Sequence, residues 1–242
     1  MAKVDKTRYT KAQWQKIREQ RRQDKQCATS HEMVPKPNNN KIKSNERSSV
    51  AFVLGNGVSR KGIDLYTLKT QGTVYGCNAL YREFSPDYLV AVDVKMVNEI
   101  CKKKYQLNNE VWTNPNRSYS KLHGLNFFHP SKGWSSGPTA LWLASQHGYE
   151  SIYILGFDYQ GLEDGKKFNN VYANSMNYKK SQDSATFFGN WLRQTKTVIK
   201  DHPKIRYKRV ITADNYCPEE LNRFDNFKTI CREDFEKIFN LK

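Results

Sequence analysis

An α/β fold, with a mainly parallel sheet and helices on both faces, is predicted by three observations. Short apolar runs alternate along the chain with stretches of helical period. The strongest runs, "VAFVL" and "IYIL", are unbroken by charged or small polar residues, as expected of strands covered on both sides. The chain has 242 residues, 38% hydrophobic and 13% aromatic, enough for one sizeable α/β domain and an appendage.

The appendage comes first. Residues 5 to 26, "DKTRYTKAQWQKIREQRRQDKQ", lack Pro and Gly and favour a basic helix. Its apolar content is only Tyr9, Ala12, Trp14 and Ile17, too little to bury much alone. "VPKPNNNKIKSNERSS" then reads as a polar linker. The domain division expected is 1–47 for tail and linker and 48–242 for the α/β domain. Within the domain, "SVAFVLGNG" predicts a buried strand and a Gly-rich turn. "GTVYGCN" predicts a second strand, and "DYLVAVD" a third that ends in Asp93. "VKMVNEICKKK" is helical, with Val94, Val97, Ile100 and Cys101 on one side; "EVWTN" and "LNFFH" are short strands. "GPTALWLASQHG" is a helix with Pro138 in its first turn. "SIYILGFDY" is the most hydrophobic strand. Residues 184 to 200 predict a long amphipathic helix, "RYKRVIT" a late strand and "REDFEKIF" a closing helix.

No run approaches the ~20 apolar residues of a membrane span. The N-terminus has no apolar segment of a signal peptide, so a cytoplasmic location is expected, the host cytoplasm for a phage-encoded protein. Cys27, Cys77, Cys101, Cys217 and Cys231 form no CxxC pair, which argues against a zinc site or a disulfide framework. Net charge is +16. Residues 1 to 49 hold 13 Lys/Arg against 5 Asp/Glu, so the tail is the most basic part. Lys11, Lys16, Arg18, Arg21, Arg22 and Lys25 are the expected contacts to DNA or RNA phosphates, with a partner ordering the segment. A solvated tail that only aids solubility is the plainer alternative.

In a parallel sheet, ligands bind beyond the C-terminal ends of the strands. Gly55, Asn56, Gly57 and Ser59 follow the first predicted strand, Asn78 ends the second and Asp93 the third. Glycines admit close backbone approach, following N–H groups can face phosphate, and Asn offers a donor and an acceptor to a base or ribose edge. GxG alone is weak evidence; a strand–helix corner needs it equally. Ser135, Ser136 and Gly137 precede a helix and would bring N–H groups and hydroxyls to its positive end, unless Ser136 merely caps it. Asp158 and Tyr159 stand at another strand end; Asp158 would hold a sugar hydroxyl or cap the next segment.

"VLGNGVSRKGIDLYTL", "VYGCNALY" and "SSGPTALWLASQHGYESIYILGFDY" together resemble the bacterial sialyltransferases. They are equally similar to the motility-associated factors of flagellin glycosylation and the hydroxymethylpterin-pyrophosphokinase-like proteins. Similar sequences also occur among bacteriophage proteins. The likeness covers residues 50 to 160. It implies a Rossmann-like domain that holds a nucleotide, with a CMP- or UDP-linked sugar as donor and no further cofactor. It places Asn56 and Asn78 on the nucleotide, with Asp93 where the sialyltransferases use an Asn. Ser135, Ser136 and Gly137 match a T-S-G that holds donor phosphate or carboxylate, and Tyr159 approximates a tyrosine on the donor phosphate. The departures are Gly133 in place of an Arg, and "NYKKSQDSATFF" where the family has a His base. Asp183 is then the candidate base, with Lys179 or Lys180 able to bind phosphate. His129 is a further candidate to reach the crevice.

Three functions compete. The first is a metal-independent glycosyltransferase, its acceptor a nucleic acid if the basic tail serves that purpose. The second is a pyrophosphokinase-like nucleotide enzyme, which would want acidic residues on Mg²⁺. The third is a non-catalytic nucleic-acid-binding or virion-associated protein that keeps the crevice.

Overall fold

Eight strands form one sheet: β1 (Val50–Leu54), β2 (Thr73–Cys77), β3 (Tyr88–Val90), β4 (Val111–Thr113), β5 (Asn126–Phe127), β6 (Ser151–Leu155), β7 (Arg206–Ile211) and β8 (Phe227–Cys231). Their order is β5-β4-β3-β2-β1-β6-β7-β8, and every pairing is parallel. This is the Rossmann-like α/β architecture. The coordinates come from a computed structural model, which describes residues 49–241. The basic segment with Lys11, Lys16, Arg18, Arg21, Arg22 and Lys25 lies outside the described residues. Among those described, no helix is long and apolar enough to cross a membrane.

The chain steps outward from β1 to β5, returns to the centre at β6, and steps outward again to β8. The order therefore reverses between β1 and β6, where Val53 lies beside Ile154. A gap opens at such a reversal because the crossovers on either side lie on opposite faces. Phe52, Leu54, Val74, Leu89, Tyr153 and Leu155 belong to the main apolar cluster. Against them pack helices α1 (Leu65–Gln71) and α6 (Arg232–Ile238), with Phe235 and Phe239 edge-on or tilted against Phe52 and Tyr153. Helix α3 (Ser136–Gln146) packs on β1, β2 and β3 and against α4 (Gly189–Asp201). It is therefore buried from Pro138 through Ser145. Two further helices are α2 (Val94–Lys102) and the short α5 (Glu219–Asn222), and Leu162–Gly165 forms a single turn with Glu163 and Asp164 in the left-handed region.

Two elements differ from the sequence reading. Helix α4 begins at Gly189, not near residue 184. Ser184 instead pairs with Lys167 in an antiparallel bridge, and Phe187 folds its ring over Gly189. Strand β8 was not expected, because only Phe227 of its five residues is fully buried.

One buried ion cluster ties the loop at 172–178 to the end of β2. Glu99 of α2 is 7% exposed. Arg82 grips its carboxylate with Nε at 2.8 Å and Nη2 at 2.7 Å; Asn177 Nδ2 donates at 2.6 Å and the Tyr81 hydroxyl at 2.5 Å. Burial alone would raise its pKa, but the hydrogen bonds from Arg82, Tyr81 and Asn177 outweigh it and hold the carboxyl at about 2. A depressed carboxylate stabilises the fold above its unfolded pKa, so this contribution is complete above about pH 4.5 and is lost toward pH 2. It amounts to on the order of 2–3 kcal/mol. Unfolding titrations should show that acid-side loss in the wild type and a flatter slope in Glu99→Gln; equal slopes would contradict the cluster's role.

Candidate nucleotide crevice

At the β1/β6 reversal the two following turns are hydrogen-bonded to each other. Gly55 N donates to Leu155 O at 2.7 Å and Gly57 N to Gly156 O at 2.9 Å. Only glycine permits this contact. A Cβ at Gly55 would lie 2.4 Å from Gly156 O, and one at Gly57 would lie 2.4 Å from the Asp158 carboxylate. That carboxylate accepts from Ser59 Oγ and, at 3.2 Å, from Ser59 N. Val58 N donates to Asn169 Oδ1 at 2.9 Å. Buried Arg60 donates from Nε to Gly55 O at 2.7 Å and from Nη2 to the Tyr172 hydroxyl at 2.8 Å. The turn's N–H groups at 55, 57, 58 and 59 are thus already occupied. The expectation that they face phosphate is corrected: the glycines here serve the approach of one turn to the other.

Free backbone donors appear instead across the cavity. Ser135 precedes α3 in extended conformation, and no side chain caps the helix. Ser136 Oγ does not cap it either; it donates to Asn78 Oδ1 at 2.8 Å and accepts from Val92 N at 3.1 Å. Ser135 N is held by Gln194 Oε1 at 3.1 Å. The first N–H groups of this eleven-residue helix therefore remain at its positive end, beside the cavity. Asn78 sits at φ 54°, a left-handed position that Asn tolerates, and this directs its side chain to Ser136.

The cavity measures about 480 Å³. Its walls are rich in amides, including Asn56, Asn78, Asn169, Asn170 and Gln194, with Trp134, Phe157 and Trp191 as apolar faces. Among the described residues, no Lys, Arg or His lines it. Asn56 is 9% exposed; its Nδ2 donates to the Tyr178 hydroxyl at 3.3 Å, while Oδ1 is buried without a partner. A buried acceptor without a partner is uncommon and marks Asn56 as a residue of interest.

Of the residues singled out in the sequence, Gly55, Asn56, Gly57, Asn78, Asp93, Ser135, Ser136, Gly137, Asp158 and Tyr159 all line this cavity. Ser59 and Asp183 do not. Ser59 faces Asp158. Asp183 is exposed and closes a local turn, accepting from Lys180 N at 2.8 Å. Lys179 Nζ reaches Ser184 O at 3.3 Å, and neither Lys179, Lys180 nor exposed His129 is at the cavity. Tyr159 lines the wall with its ring but points its hydroxyl to Thr195 Oγ1, 2.9 Å away. Arg209, itself 1% exposed, lies over that ring at 5.1 Å. Burial pushes the Tyr159 phenol up to about 12. Cys77 is likewise pushed up to about 12 by burial and donates to Leu54 O at 3.3 Å. Asp158 is engaged by Ser59, so Asp93 is the one titratable side chain of the cavity with no hydrogen-bond or ion-pair partner among the described residues. It precedes α2 without capping it and is exposed.

The sequence reading missed Trp134, Trp191, Gln194, Asn169 and Asn170. The pair Asn169–Asn170 was a usable signal; the others look like helix or loop residues until α4 is seen to close the cavity. Among the described residues, no group of His, Cys, Asp or Glu is placed to hold a metal ion. Compared with known proteins, the chain matches no protein family, no curated protein and no solved structure.

Proposed function

We propose that this cavity binds a nucleotide and that the protein transfers a sugar from a nucleotide-sugar donor. The observation that carries the reading is the uncapped start of α3. It faces the same cavity as Asn78, Asn56 and two tryptophans, at the reversal of a parallel sheet. Phosphate fits the helix N-terminus, a base fits a tryptophan face, and the amides suit base or ribose edges. In the transfer, an acceptor hydroxyl oxygen bonds to the anomeric carbon as its bond to the donor phosphate breaks. The nucleotide leaves with the electron pair toward the α3 N–H groups, and Asp93 receives the hydroxyl proton. The pyrophosphokinase alternative is less well served, since it asks for several free carboxylates and the cavity offers only Asp93.

Titration calorimetry with CMP, UMP and UDP tests the binding half. At least one should bind the wild type. Asn78→Ala should weaken it by about tenfold, since it removes the amide and leaves Ser136 Oγ without its acceptor. Failure of all three nucleotides to bind would overturn the proposal.

A further inference from the structure

A second cavity, of about 870 Å³, shares Tyr159 and Gln160 with the crevice. It lies between the turn at 162–165, the segment 185–188 ahead of α4 and the loop at 214–216. Three further aromatic rings stand along it. Phe187 is 76% exposed and Tyr216 is 44% exposed. Phe188 joins them, with its ring 6.2 Å from that of Phe187 and 5.9 Å from that of Tyr216. Hydrogen bonds fix one side of this surface. Gln160 Oε1 accepts from Tyr216 N at 2.5 Å, Gln160 Nε2 donates to Asp214 O at 3.1 Å, and buried Arg209 donates to Tyr216 O at 2.8 Å. A contiguous aromatic surface left open to water in a concave place marks a binding site.

The charge of the lining selects the occupant. Glu163, Asp164 and Asp214 line the cavity, and among the described residues no Lys, Arg or His does. None of the three carboxylates forms an ion pair among the described residues. Lys167, in the same hairpin as Glu163 and Asp164, sends its ammonium to Gln182 O at 3.2 Å instead. A cleft lined by one sign of charge repels ligands of that sign, which excludes phosphate. A neutral apolar molecule would cover the carboxylates without pairing them. The carboxylates are not grouped to hold a metal ion. An organic ammonium ion satisfies both features: its alkyl groups and charge lie on the aromatic faces, and the carboxylates neutralise it. We propose that this cavity binds a small organic ammonium ion beside the nucleotide crevice. Its volume falls in the range of small-molecule sites, roughly 300–1,000 Å³. The site stands whether or not the crevice transfers a sugar.

The test is titration calorimetry of the full chain, without nucleotide, using choline and its uncharged isostere, in which a quaternary carbon replaces the nitrogen. The two have the same shape and hydroxyl, so only the charge differs. The wild type should bind choline roughly tenfold more tightly than the isostere. Phe187→Leu keeps an apolar side chain but removes an aromatic face. It should weaken choline by about three- to tenfold and the isostere by less. Glu163→Gln/Asp164→Asn/Asp214→Asn should bring choline down toward the isostere's affinity. All four substituted side chains are exposed, and Asn tolerates the left-handed φ of 57° at Asp164, so folding is not at stake. Failure of choline to bind, equal affinity for the two molecules in the wild type, or an unchanged preference in the triple variant overturns the proposal.

Discussion

Gly55→Ala should destabilise the domain by roughly 3 kcal/mol, at the top of the usual range for overpacking. The added Cβ would sit 2.4 Å from Gly156 O and 2.8 Å from the Phe157 ring. A carbonyl oxygen cannot rotate away as a flexible side chain can. This one also accepts from Gly57 N, so moving it breaks the second link between the turns. Gly55 cannot move either: its N–H is bonded to Leu155 O and its C=O to Arg60 Nε. The clash therefore separates β1 from β6 at the centre of the sheet. Gly133→Ala is the internal control. It stands at φ 62° with nothing within 4 Å of its Cβ, so only the left-handed backbone is strained, by about 1 kcal/mol. Thermal unfolding should separate the two, with a fall of roughly 6–12 °C for Gly55→Ala. Equal small losses would mean that the two turns are not packed as described.

The same turn explains which parts of the site were legible in the sequence. A residue's place along a strand follows from the apolar run before it, so Gly55, Asn78, Asp93 and Asp158 could be put at strand ends from pattern alone. Parallel pairing then gathers strand ends on one edge, and the cavity follows. What each group does there depends on partners distant in sequence. Asp158 looked free to hold a sugar hydroxyl, but Ser59 lies 99 residues earlier and takes its carboxylate. Ser136 looked like a helix cap, but Asn78 draws its hydroxyl away. Tyr159 looked like a phosphate ligand, but Thr195 on α4 receives its hydroxyl. Asp183 owed its candidacy to the resemblance, which puts a His base in its segment just before a long helix. The bridge between Lys167 and Ser184 takes that segment out of the helix and away from the crevice. Position is local information, and hydrogen-bond partnership is not.

Asp93→Asn should lower turnover by about 10²- to 10⁴-fold, the range for loss of a positioned general base. The other titratable groups of the cavity are already committed. Cys77 and Tyr159 are held protonated by burial and already donate to protein oxygens. Asp158 is bonded to Ser59. Asp93 alone keeps a carboxylate with no partner among the described residues, at the exposed edge where a second substrate can arrive. Asn preserves its shape and one acceptor oxygen, so nucleotide affinity should change by less than about threefold, the pattern of a group that acts in the transition state. The measurement is release of nucleotide from CMP- and UDP-linked sugars, with nucleotide affinity determined on the same variant and Asp183→Asn as the control expected to be silent. Should Asp93→Asn turn over as fast as wild type while still binding nucleotide, no titratable side chain of the cavity would remain to take the proton. The crevice would then be a nucleotide-binding site without a side-chain base of its own.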